Sequence, residues 1–330
     1  MLLNRFCEIA AHEGFAVAFI EAPENIDLAA TLVNGLRKVL LKLDKQRPTA
    51  KVLAALRVLK SFSYHLPDGG SIKLDVEAAV GLADSGSLGD DVTDLLVAVG
   101  EAMRDRRTGF VLAIDELQYL GRADLGALIS AIHRTTQVDL PVVLIGAGLP
   151  QLPGLAGDAK SYAERLFEFP MIGSLSPDDA RSALVLPAQS EGVEFDEDAL
   201  AVALAEAHGY PYFLQEWGSQ LWNTAESSPI TGEDARRAKP KITEHLDRNF
   251  FRMRFDRLTP KEKEYLWAMA RLGPGPHRSG DIAAQLGVKV ESVAPRRGAL
   301  IAKGMIYSPG HGDTAFTVPL FDEFMNRARQ

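Results

Sequence analysis

Apolar residues recur at the spacing of one helix face over residues 1–13, where Leu2, Leu3, Phe6, Ile9 and Ala10 line up and Gly14 stops the run. A short apolar run at 15–20 predicts a buried strand. Amphipathic patterns predict helices at 26–43, 51–62, 90–105 and 125–135, and further apolar runs predict strands at 110–114, 142–145 and 166–170. The stretch "PDGGSIKLDVEAAVGL" opens on a turn signal and then alternates, which predicts an exposed hairpin or excursion. Short strands separated by longer helices specify an α/β class with a doubly wound, mainly parallel sheet.

From about residue 174 the period is helical throughout. Ser176, Pro177 and Asp179 form a helix-start signature, and helices follow at 196–208 and 212–224. Thr259, Pro260 and Glu262 cap another helix running to Arg271, "SGDIAAQLG" is a second and "ESVAPRRGALIAKG" a third. The last of these leads into strand, Gly-rich turn and strand. Three helices and a hairpin read as a C-terminal winged helix-turn-helix. The expected domains are 1–173, a nucleotide-binding αβα domain, 174–247, a helical lid, and 248–330, the winged helix.

Charge sharpens this division. Residues 250–330 carry 13 Lys and Arg against 8 Asp and Glu, whereas residues 1–249 carry 23 against 36. A basic end on an acidic body suggests DNA as a partner of the end, although solvated surface charge would look the same. With 46% hydrophobic and 24% charged residues, composition is that of a globular protein. No apolar run reaches the roughly 20 residues of a membrane span, so no membrane partner is expected. The single cysteine, Cys7, excludes an internal disulfide and a cysteine-rich zinc site, and suggests a cytoplasmic location.

Candidate chemistry centres on "GFVLAIDELQYL", where an apolar run ends in Asp115 and Glu116. Ligands of α/β sheets sit at the carboxyl ends of strands, and adjacent carboxylates there suit a magnesium ion and a polarised water. The same pair would also serve simply to cap the helix that follows.

The order of several stretches resembles the AAA+ and STAND-type P-loop ATPases, close to the origin-recognition-like subgroup, over essentially all of residues 1–330. "VLAIDE" resembles their Walker B element and "VVLIGAGLP" lies where the sensor-one strand would be. "YAERLFEF" is similar to the stretch carrying an arginine finger, and "GYPYFLQ" to the Gly-x-Pro lid motif. The resemblance implies ATP and Mg²⁺ as cofactors, Asp115 as the metal residue, and Glu116 and Arg165 as catalytic residues. Arg165 would reach a neighbouring copy in a homo-oligomer, unless Glu164 or Glu168 pairs with it. It also implies Tyr210 and Pro211 near the nucleotide base, though a helix start after Gly209 explains the Gly and Pro equally well.

Two departures stand out. The sensor-one place reads Gly146-Ala147-Gly148, where the family often has Asn, Thr or Arg, and this puts efficient hydrolysis in doubt. No Gly-x-x-x-x-Gly-Lys-[Ser/Thr] occurs, although that loop carries most of the family's grip on phosphate. "MLLNRFCEIA" resembles the helix directly after the loop. The absent strand would lie between those at 142–145 and 166–170, so the expectation is that the natural polypeptide begins upstream. Gln118 is a further polar candidate, His133 has no metal spacing, and Trp217 and Trp222 are expected in a core.

In the winged helix, Lys289, Ser292, Arg296 and Arg297 lie where a recognition helix meets a major groove, and His311 lies in the wing. Such residues would contact DNA, yet related modules also dock proteins or close over the nucleotide. The function expected is a nucleotide-dependent ATPase switch whose winged helix contacts DNA or a protein. The alternative is a non-catalytic DNA-binding regulator with a degenerate ATPase body.

Overall fold

A computed structural model of the chain describes residues 2–22, 24, 27–65 and 72–328. They form two compact units, Met1–Phe169 and Pro170–Gln330. Among the described residues no helix is long and apolar enough to cross a membrane.

The first unit runs α1 (Leu2–His12), β1 (Ala16–Glu21), α2 (Leu28–Gln46), α3 (Ala50–Phe62), α4 (Leu88–Asp105), β2 (Phe110–Asp115), α5 (Arg122–Gln137), β3 (Val142–Gly146), α6 (Leu152–Ala159) and α7 (Ala163–Leu166). Its strands pair in the order β1-β2-β3, all parallel, with Val17, Val111 and Val143 in register. β2 has a partner on both sides, and Phe110 through Ile114 are all buried, which accounts for its unbroken apolar run. Gly35 of α2 lies against Ala18 and Ile20, and Gly100 of α4 against Leu140 and Val142, so both helices share one face of the sheet. Asp27 caps α2 by accepting from the Ala30 amide at 2.9 Å, and Thr49 caps α3.

Three expectations need correction here. Residues 167–170 form no strand: α7 ends at Leu166, and the segment after it has no ladder partner among the described residues. Phe167 and Phe169 instead pack on the first unit's core, with ring centroids 6.3 Å apart. Apolar alternation specifies which side is buried, but a strand also needs a neighbour to bond. The second correction concerns the expected hairpin. Residues 66–71 of it lie outside the described residues, and 72–82 form an irregular segment without strands. That segment is held at its base by side chains. Lys60 donates to the carbonyls of Leu74 and Val76, and buried Asp91 accepts from the Ser85 amide at 3.0 Å and the Gly86 amide at 3.2 Å. Backbone groups satisfied in this way do not need a ladder.

The second unit comprises α8 (Pro177–Ser190), α9 (Glu197–Ala207), α10 (Pro211–Thr224), α11 (Gly232–Leu246), α12 (Arg252–Asp256), α13 (Pro260–Arg271), β4 (His277–Arg278), α14 (Ser279–Leu286), α15 (Ala294–Ala302), β5 (Ile306–Tyr307), β6 (Asp313–Phe316) and α16 (Phe321–Ala328). One core runs through it, from Leu184 and Trp217 to Phe251, Leu266 and Met325. Ser176 accepts from the Asp179 amide, and Thr259 and Glu262 form a reciprocal capping box, as their spacing predicts. The expected hairpin, β5 and β6, gains β4 as a third antiparallel strand in the order β4-β6-β5. The third correction is Trp222, expected in the core but 46% exposed; only Trp217 is buried. Five residues along a helix is well over one turn, so the two rings leave α10 on different sides.

Candidate functional site

The end of β2 is fixed by its two neighbours. Asp115 pairs in register with Glu21, and its carbonyl accepts from the Ala22 amide at 3.1 Å. On the other side, the Ala147 amide donates to the Ile114 carbonyl at 2.9 Å and the Leu117 amide to the Ala147 carbonyl at 3.0 Å. The Asp115 carboxylate is half-buried, and Oδ1 accepts from the Glu116 amide at 2.9 Å.

Glu116 has φ 57° and ψ 38°, the left-handed region. A non-glycine residue there costs on the order of 1 kcal/mol, and such outliers cluster at functional sites. Its carboxylate accepts from the Gln118 side-chain amide, whose Oε1 in turn accepts from the Leu149 amide at 3.1 Å. Gln118, considered above only as a polar candidate, thus ties the acid to the loop after β3. We expect Glu116→Gly to be more stable than Glu116→Ala by up to about 1 kcal/mol, because both lose the bond to Gln118 but glycine adopts positive φ without strain. Urea unfolding of Glu116→Gly beside Glu116→Ala measures this, and a glycine variant no more stable than the alanine one would refute it.

The Gly146-Ala147-Gly148 departure has a packing cause. A Cβ at Gly146 would stand 2.1 Å from Leu117 Cδ1, and one at Gly148 would stand 2.8 Å from Gln118 Oε1. A polar side chain at either place would displace the residues that support Glu116. Among the acids at helix starts of this unit are Asp27, the cap of α2, and Asp124 in the first turn of α5. Burial raises the Asp124 pKa, and the Asp27 charge raises it further. Neither stood out in sequence, because isolated acids at helix starts are ordinary.

Among the described residues no three His, Cys, Asp or Glu side chains converge on a metal position. Asp115 and Glu116 supply hard carboxylate oxygens, which suit a magnesium ion held largely by waters and phosphate oxygens rather than by a full protein cage. The donor set therefore fits such an ion at Asp115.

The other residues singled out in the sequence lie on separate elements. Arg165 is exposed on α7, with no carboxylate partner among the described residues. Tyr210 precedes α10 and Pro211 begins it. The Tyr210 ring packs 4.8 Å from Phe213, and burial raises its hydroxyl pKa, opposed by the nearby Arg254 charge. His133 sits with its ring 4.8 Å from that of Tyr162.

Around α15 the cations part company. Lys289 and His311 are exposed, and the Ser292 hydroxyl donates to the Lys289 carbonyl at 2.6 Å. Arg296 is half-buried, 3.9 Å from Glu264. Arg297 is committed within the fold: Nε donates to Thr314 Oγ1 at 2.8 Å and a terminal nitrogen to the Asp313 carbonyl at 2.9 Å. The exposed positions of α15 are Ala294, Pro295, Gly298, Ala299 and Ala302.

Residues 248–325 match the family described as a domain of unknown function (DUF8462). No curated protein matches the chain. Among solved structures it is similar to a variant of Thermotoga maritima RuvB, with 16% identity, a TM-score of 0.39, and coverage of 95% of this chain and 91% of that one. It is also similar to the Aeropyrum pernix Orc1 protein in complex with DNA, with 14% identity, a TM-score of 0.39, and coverage of 99% and 91%. For Cdc6p from Pyrobaculum aerophilum the identity is 14%, the TM-score 0.32, and the coverage 99% and 92%.

Proposed function

We propose that the chain is an ATP-binding switch of the AAA+/STAND type, with a helical lid and a winged helix-turn-helix that contacts DNA or a protein. The observation carrying this reading is the pair Asp115 and Glu116 at the carboxyl end of the central, fully paired strand, with Glu116 held in a strained backbone conformation. Sequence order supports it, from "VLAIDE" through "GYPYF" to the helices and hairpin after residue 258.

In this reading Asp115 holds Mg²⁺ through water, and the ion, when bound, neutralises phosphate charge. Glu116 orients an attacking water through its carboxylate, and Gln118 positions that carboxylate. Arg165 is free to stabilise phosphate charge on a neighbouring copy. Tyr210 and Pro211 edge the base. The reading requires a strand and a phosphate loop beside β3. Two features are compatible with such a strand: β3 has a partner on one side only among the described residues, and Val143 is 54% exposed.

The test is Mg²⁺-dependent binding of a fluorescent ATP analogue to the chain with any residues encoded in frame ahead of Met1, and to the same protein carrying Asp115→Ala. Loss of a carboxylate contact to the hydrated ion should weaken binding about tenfold or more. Equal binding by both proteins would overturn the assignment of Asp115.

A second reading, a non-catalytic DNA-binding regulator built on a degenerate ATPase body, has its own support. The Gln118 amide engages the Glu116 carboxylate, and packing keeps polar side chains out of 146 and 148. Duplex binding that ignores nucleotide and falls steeply with salt would favour it.

A further inference from the structure

In the first unit, an open surface cleft of about 770 Å³ lies between the first turn of α4, one face of α5 and the end of α6. That is the size range of metabolite-binding clefts. None of its lining residues belongs to the Asp115–Glu116 pair.

Its floor is made of small residues. Ala123, Gly126 and Ala127 fall on the side of α5 that faces the cleft, and a side chain larger than alanine at 126 would meet the arm of Lys160, whose Cε is 3.5 Å from the place a Cβ would take. Two cations border the space from separate elements, Arg122 at the start of α5 and Lys160 just past α6. Neither has a carboxylate or hydrogen-bond partner among the described residues. Asp90 is the one acid among the described residues of the lining, against Arg122 and Lys160.

The start of α4 adds to this. The Ser87 side chain, before α4, makes no capping bond. The first amides of that helix have no carbonyl one turn back, and Gly89 and Asp90 of that turn line the cleft. A guanidinium and an ammonium beside a helix start and a small-residue floor match the oxygens of a phosphate group with a compact organic body attached.

We propose that this cleft binds a small phosphate monoester, its phosphate between Arg122 and Lys160 and its organic part on the Ala123–Gly126–Ala127 floor. The inference is independent of the nucleotide reading.

Isothermal titration with phenyl phosphate and with inorganic phosphate tests it on the full chain. Saturable binding is expected for both, tighter for phenyl phosphate because it also covers the floor. Arg122→Gln and Lys160→Gln should each weaken binding about tenfold, the equivalent of one charge-assisted hydrogen bond. Gly126→Leu should abolish the advantage of phenyl phosphate over inorganic phosphate. Asp115→Ala should leave both affinities unchanged, which separates this cleft from the proposed nucleotide site. The absence of saturable phenyl phosphate binding would overturn the proposal. So would affinity retained in the Arg122→Gln/Lys160→Gln protein, or affinity lost in Asp115→Ala.

Discussion

Gly209→Ala should destabilise the second unit by about 2–4 kcal/mol, read as a lower urea midpoint at unchanged slope. Gly209 has φ 67°, directly after His208 at φ 51°, so the chain makes two left-handed steps between α9 and α10. A Cβ at 209 would stand 2.7 Å from the Leu175 carbonyl oxygen and 3.2 Å from Ser174 Cβ. Those neighbours cannot yield easily, because the Leu175 amide donates to the Gly209 carbonyl at 2.9 Å. Gly192 is the control, with φ 75° but nothing within 4 Å of its would-be Cβ. Gly192→Ala should therefore cost only the left-handed term, about 1 kcal/mol. Equal losses at the two sites would show that the close approach to Leu175 contributes nothing. The glycine of "GYP" thus has a structural reason that holds whether or not Tyr210 and Pro211 border a nucleotide.

The second large effect is expected at Arg297. Arg297→Met keeps the stem but removes donors to Thr314, which is fully buried, and to the Asp313 carbonyl. Stranding the buried Thr314 hydroxyl costs about 1–3 kcal/mol, whereas the Asp313 carbonyl keeps its bond from the Ser308 hydroxyl at 3.1 Å, so a loss of about 1–3 kcal/mol is expected. Arg296→Ala should change stability by less than about 0.5 kcal/mol, since its 3.9 Å approach to the mostly exposed Glu264 is a weak surface pair. Thermal unfolding of the two variants checks this, and equal destabilisation would refute the assignment. The contrast matters for any DNA assay. Any effect of removing Arg297 in such an assay would include the loss of its bonds to Thr314 and the Asp313 carbonyl of β6, and so would not isolate a phosphate contact. Lys289→Gln and His311→Gln, both at exposed sites, are the variants that report on contact itself. The exposed positions of α15, with only alanine, proline and glycine, offer no side-chain donor to a base edge.

The recognisable parts of the candidate site were those carried by consecutive residues. Asp115 and Glu116 follow directly on an apolar run, and strand β2 ends on Asp115, one residue beyond the expected 110–114. Gln118 was visible as a polar residue, but its bridge from Glu116 to the Leu149 amide joins positions 31 apart, and no local pattern encodes that. Arg122 and Lys160 carried no signal at all, being ordinary charged residues at helix ends until α5 and α6 bring them to one cleft.

The amino-acid order by itself determined most of the longer helices, the caps at Ser176 and Thr259 and the buried course of β2, because helical period, capping chemistry and apolar runs act over a few neighbouring residues. Tertiary structure decided that 167–170 is not a strand, that Trp222 faces solvent, and that Arg297 supports a hairpin instead of standing free. It also decided why glycine occupies 146 and 148. Each of these depends on which distant atom lies within a few ångströms, and local sequence does not specify that.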